Sequence, residues 1–129
     1  MQNTTSIALI IADFICDPDE VSSSLEVEPT EVFRVGALIG RGPRTNRTSA
    51  WRLSPPSELI ELTAQMDWLR ARLPASGSVL DSISARWEAE LVVVVEVSGA
   101  SGPALDFRRE DLEWLAEWRA AMDVSLRCL

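Results

Sequence analysis

The chain reads as an α+β domain: a two-layer sandwich with a mostly antiparallel sheet and helices packed on one face. Three observations predict it. Trp87 to Val97, WEAELVVVVEV, holds five apolar residues in a row, four of them Val. β-branching restricts χ1 and suits a pleated surface, so this is a strand. Leu59, Leu62, Met66, Leu69 and Leu73 recur at helical spacing and form one apolar stripe. Strand and helix signals then alternate irregularly in the order βαββα(α)ββαβ, which suits helices segregated to one side of a sheet, a ferredoxin-like variant.

The Val-rich strand is the centre of this plan. Side chains alternate faces along a strand. Trp87, Ala89, Leu91, Val93, Val95 and Val97 share one face, which must be core. Glu88, Glu90, Val92, Val94 and Glu96 share the other, apolar in the middle and acidic at both ends. That face is expected to stay partly open.

The remaining elements follow in order. Ser6 to Phe14 is the first strand, with Ile7, Leu9 and Ile11 on one face and Ala8, Ile10, Ala12 and Phe14 on the other. Asp17-Pro18-Asp19-Glu20 opens a short helix: Asp17 suits the N-cap, Pro18 the first turn and Glu20 the capping-box position. Val21 and Leu25 face the sheet. Val32 to Ile39 and Ser49 to Ser54 are two strands of a long-looped hairpin, with Trp51 and Leu53 inward and Arg52 outward. Between them lies the flexible loop Gly40-Arg41-Gly42-Pro43-Arg44-Thr45-Asn46-Arg47.

Pro74 and Gly77 end the striped helix, and residues 79–86 make one or two helical turns. After the turn Ser98 to Pro103, residues 104–107 are expected as a short strand. Residues 109–121 form the last helix, with Leu112, Leu115 and Ala116 on one side and Trp114 and Trp118 beside them. The chain closes on a strand over residues 123–129, with Met122, Val124, Leu126 and Cys128 inward and Asp123, Ser125 and Arg127 outward. A chain of 129 residues with no internal repeat is one domain, 1–129.

Composition removes whole chemistries. There is no His, Lys or Tyr, so there is no imidazole base or metal ligand, no Schiff-base lysine and no phenol. An enzyme is not expected, and neither is a cofactor or a metal. One would have to rely on Asp, Glu, Cys or Ser. Cys16, beside a helix amino terminus, is the best thiol candidate, but nothing nearby would serve as its base. Asp13, Asp17 and Asp19 lack the glycine and glutamate of a calcium loop. The amino terminus has no positive leader, and its apolar run stops at Asp13, so neither signal peptide nor membrane span is expected. Cytoplasmic location with reduced thiols follows.

Charge is unevenly spread. The net charge is −8, which argues against nucleic-acid or anionic-membrane partners. Between Glu31 and Glu58 there is no acid but there are five arginines: Arg34, Arg41, Arg44, Arg47 and Arg52. Arg41, Arg44 and Arg47 would suit a phosphate or an acidic partner loop, though a loop is polar by default.

The pattern DPDEVSSSLEVEPTEVFRVG, a loop, then TSAWRLSP, and later LDFRREDLEWLA before a final strand, resembles the small bacterial family known only as domain of unknown function 4279. The resemblance spans nearly the whole chain. Arg108 departs from it where relatives place a small or acidic helix cap. The resemblance implies a two-layer α+β fold and no reaction, and it suggests association with toxin–immunity loci.

The leading expectation is a non-catalytic protein-interaction domain. Its candidate site residues are Arg34, Arg41, Arg44, Arg47, Arg52, Val92, Val94, Glu96 and Arg127, gathered on the open sheet face and the Arg-rich loop. The alternative is a small-molecule or anion binder using the five arginines. The apolar centre at Val92 and Val94 also predicts a cover: either the Arg-rich loop or a second copy meeting the patch across a two-fold axis.

Overall fold

The computed structural model describes residues 4–34, 48–97 and 105–128. Among these residues, five strands form one sheet: β1 (Thr4–Phe14), β2 (Glu31–Phe33), β3 (Ser49–Leu53), β4 (Glu88–Val97) and β5 (Ala121–Cys128), in the order β2-β3-β1-β4-β5. Three neighbouring pairs are antiparallel, and β4 with β5 is parallel. Three helices accompany them: α1 (Pro18–Leu25), α2 (Leu62–Arg72) and α3 (Arg109–Glu117), with a 3-10 helix at Gly77–Ser82. The order through β4 is ferredoxin-like, and α3 with β5 adds a parallel unit at one edge. The expected α+β sandwich is the fold observed.

The core lies between sheet and helices. Ile7, Leu9 and Ile11 of β1, Trp51 and Leu53 of β3, and Ala89, Leu91, Val93 and Val95 of β4 all point into it. Val21 and Leu25 of α1, Leu62, Met66 and Leu69 of α2, and Trp114 and Leu115 of α3 meet them. Helix α2 starts at Leu62, so Leu59 precedes it.

Polar side chains fix the layers. The buried amide of Gln65 on α2 accepts from Ile7 N–H at 3.0 Å and donates to Thr5 C=O at 2.8 Å. The pairing of β1 with β3 ends at Leu9↔Leu53, so the Gln65 side chain supplies the pairing that β3 does not reach. Trp51 donates to Ser22 Oγ at 3.0 Å and ties β3 to α1.

Helix α3 begins without a side-chain cap at Arg108. Asp111 reaches back instead and accepts from the Arg108 N–H at 3.1 Å. Its fully buried carboxylate also accepts from the Arg108 guanidinium and from Arg70 of α2 at 3.3 Å. At the other end, the Trp114 and Trp118 indoles both donate to Pro74 C=O, at 3.3 and 3.0 Å. Trp118 meets Trp87 edge-on with ring centroids 6.2 Å apart. Gly77 lies under this pair, where a Cβ would come within 2.4 Å of the Trp87 ring.

Four expectations change. Phe14 turns into the core because β1 bulges: Ile11 pairs with Trp51 and Phe14 with Ser49, so β1 carries one extra residue. Asp13 absorbs it at φ 65°, and the alternation shifts by one. Residues 105–107 form no strand. Leu112 and Ala116 are exposed, because α3 turns Asp111, Trp114 and Leu115 inward. Met122, Val124, Leu126 and Cys128 share the helix side of the sheet, as their pairing with Leu91, Val93, Val95 and Val97 requires, yet all four are exposed. The second strand ends at Phe33, and residues 35–39 of its expected extent lie outside the described residues.

Candidate functional site

The sheet face away from the helices is the site that the strand register builds. Its middle is apolar. Ala8, Ile10 and Ala12 of β1 lie between Ala50 of β3 and Val92 and Val94 of β4. Phe33 of β2 stands at its edge, 44 % exposed. Val92 and Val94 are half-buried.

Charge surrounds this middle in ordered rows. Glu31 stands opposite Arg52, Arg52 opposite Ile10, and Ile10 opposite Glu90. In another row, Thr4 stands opposite Glu96, and Glu96 opposite Arg127. Arg52 also donates to Ser54 Oγ at 3.1 Å, which holds its side chain along the strand. The structure therefore gathers Arg52, Val92, Val94, Glu96 and Arg127 on one face. Opposite-charge cross-strand neighbours favour this register.

Arg34 does not join them. Its guanidinium reaches Asp17 at 2.6 Å and Asp19 at 3.3 Å, at the start of α1 on the helix side. Alternation explains the placement: Glu31 and Phe33 face outward, Val32 packs on the core, and Arg34 follows Val32. Asp17 meanwhile accepts from Asp19 N–H at 2.9 Å as the expected N-cap. The Asp19 N–H, and then Arg34, hold the Asp17 carboxyl below its ordinary range. Arg41, Arg44 and Arg47 lie outside the described residues.

The other reactive candidates are occupied by structure. Burial, and then Glu20, push the Cys16 thiol up, so it is protonated and a poor nucleophile at neutral pH. Asp13 pairs with Arg86. Asp81 accepts from the Trp87 indole at 2.7 Å and from Arg119 at 3.1 Å, which hold its pKa down in that order. No group of three or more metal-ligating side chains gathers among the described residues. A shallow depression beside α1 is lined by Asp19, Ser22, Ser23, Glu26, Val27 and Glu28. Three acids without a base make it a poor receptor for anions.

Phe33 and Ile10 are members of the open face that sequence reasoning did not assign to the site. The signal for Ile10 was present in the alternation of β1. Phe33 needed the register of β2 on β3, which residue pattern alone does not give. Among the described residues, no helix is long and apolar enough to cross a membrane.

No curated protein and no solved structure matches the chain. A family model does, over residues 3–129, a range that takes in every strand and helix described above. The chain thus belongs to the family described as Domain of unknown function (DUF4279).

Proposed function

We propose that this domain is a non-catalytic protein-interaction module that docks a partner protein on its open sheet face, in the manner of an immunity protein. One observation carries the reading: the part-exposed Ile10, Val92 and Val94 form an apolar centre over the buried Ala8, ringed by Glu31, Arg52, Glu90, Glu96, Asp123 and Arg127, with Ser6 and Ser125 beside Val94. An apolar centre with a polar rim is the anatomy of a protein interface. Glu88, Glu90 and Glu96 outnumber the arginines on the β4 side, so the fitting partner carries an apolar knob flanked by basic residues. The two free cysteines, Cys16 and Cys128, favour a reducing compartment, which supports a bacterial cytoplasmic setting.

The anion-binding alternative has less support. Arg34 is engaged by Asp17 and Asp19 and is not held ready for a ligand.

Photo-crosslinking tests the proposal. A benzoylphenylalanine replaces Val94, or Val79 on the opposite layer as control, in native lysate. The expected result is a discrete adduct from position 94 alone. Unlabelled wild-type domain should compete it away, and an Arg52→Glu/Val92→Glu variant should not. Equal labelling from both positions, or competition by both proteins, overturns the open-face reading.

A further inference from the structure

The strongest feature outside the open face is the free edge of β5. It runs eight residues, Ala121–Cys128, and pairs continuously with β4 from Glu90↔Ala121 to Val97↔Cys128 without a bulge. No strand among the described residues pairs with its outer edge. Alternate residues of β5 therefore direct backbone N–H and C=O groups away from the sheet. Proteins guard such edges with short strands, prolines, bulges, charged side chains or a covering helix or loop. Among the described residues, β5 has of these only the charges of Asp123 and Arg127, and it leaves Met122, Val124 and Leu126 exposed on its helix side.

We infer that β5 is the seam of a two-fold homodimer, in which two copies pair β5 with β5 antiparallel and join their sheets. The charge pattern selects the occupant and the register. On the open side, Asp123 and Arg127 flank Ser125 at equal distance and carry opposite signs. A two-fold axis through Ser125 places Asp123 of one copy opposite Arg127 of the other, twice. The same register sets Val124 against Leu126 of the second copy, also twice, and buries the exposed apolar row. An axis through Val124 would leave Asp123 facing Ser125 and Arg127 facing Ala121. An axis through Asp123 or Arg127 would set like charges against each other. Only the Ser125 register satisfies both charges and both apolar pairs, and opposite-charge cross-strand pairs are the favourable ones.

The sheet made this way joins the five described strands of each copy, with both helical layers on one side. Arg127 then lies between Glu96 of its own chain and Asp123 of the second copy. The open faces of the two copies become one continuous surface. The seam is distinct from the Val92 and Val94 patch, which stays available to a partner.

Charge reversal tests the register. Molecular mass is measured by sedimentation equilibrium from low to high micromolar concentration for the wild type, Asp123→Arg, Arg127→Asp, and the double exchange. All three changes lie on exposed positions, and circular dichroism checks that each variant is folded. The wild type should be dimeric at high micromolar concentration. Each single reversal should weaken association about tenfold or more by setting like charges opposite each other, and the double exchange should restore it. Val94→Glu should leave the dimer intact. A monomeric wild type, single reversals without effect, a double exchange that fails to rescue, or loss of the dimer on Val94→Glu alone each overturns the inference.

Discussion

Val93 and Val124 are direct neighbours on paired strands, on the same side of the same sheet, yet Val93 is 0 % exposed and Val124 is 42 % exposed. The contrast repeats along the pair. Leu91 is 0 % exposed beside Met122 at 42 %, and Val95 is 0 % exposed beside Leu126 at 65 %. Residue chemistry and alternation are the same on both strands. What differs is coverage: the helical layer closes over β4 and leaves β5 uncovered. The lesson is that alternation assigns a side of a sheet, while only the third dimension assigns burial.

The cause lies in what holds α3. At its start, Asp111 is clasped by Arg70 of α2 and by Arg108. At its end, Trp118 docks on Pro74 and Trp87. Both anchors belong to the α2 side of the molecule, so α3 is drawn inward, and β5 emerges beyond its cover.

The sharpest test of the contrast uses matched leucines. Leu91→Ala removes a fully buried side chain and leaves a cavity, so urea unfolding should show a loss of about 3–5 kcal/mol. Leu126→Ala, at an exposed position, should change the unfolding of the isolated monomer by only about 0.5 kcal/mol. Comparable losses at the two positions would mean that β5 is covered after all.

The next test breaks the clasp that positions α3. Asp111→Ala removes the acceptor of two arginines and of the Arg108 N–H. Both arginines are about one-third exposed, so water can resolvate them in part. The loss should sit near charged hydrogen-bond values, about 2–3 kcal/mol. Hydrogen exchange should show α3 amides opening before those of β4. Uniform loss of protection across both would show that α3 is held by packing alone.

These features were unequally legible. The strand at 87–97, the N-cap at Asp17 and the inward Trp51 are all local pattern, and each stands where the pattern places it. The pairing of β2 with β3 is found as well, but over Glu31–Phe33 and with Phe33 outward. The core stripe Leu62, Met66 and Leu69 does too. Phe14 went astray because one bulged residue at Asp13 reverses the alternation, and nothing in ADF announces a bulge. Arg34 went astray because its partners, Asp17 and Asp19, lie a helix away in sequence. The roles of Gln65 and Asp111 are long-range as well: each is a polar residue on a helix until a backbone or a guanidinium arrives from another element. Sequence pattern reads what a strand does to itself, and it is blind to what another element does to it.

The smallest effect concerns acid. Asp67 and Asp81 stand at the two ends of the α3 anchorage. A hydrogen bond from Arg108 holds the Asp67 carboxyl below its ordinary pKa of 3.8, and one from the Trp87 indole, with Arg119, does the same at Asp81. A lowered folded pKa means that the unfolded chain takes up protons first as pH falls. The stabilisation is therefore complete above the ordinary value of 3.8 and is lost as pH drops through the lowered folded values. Both carboxylates are more than half exposed, so solvent screens them and the contribution is slight. Urea midpoints followed from neutral pH downward should be flat to about pH 4 and then decline. In Asp67→Asn/Asp81→Asn the decline should be shallower, and added salt should narrow the gap between the two proteins. A midpoint that already falls between neutrality and pH 5, where these two carboxyls do not titrate, would move the acid sensitivity of the α3 anchorage to another group.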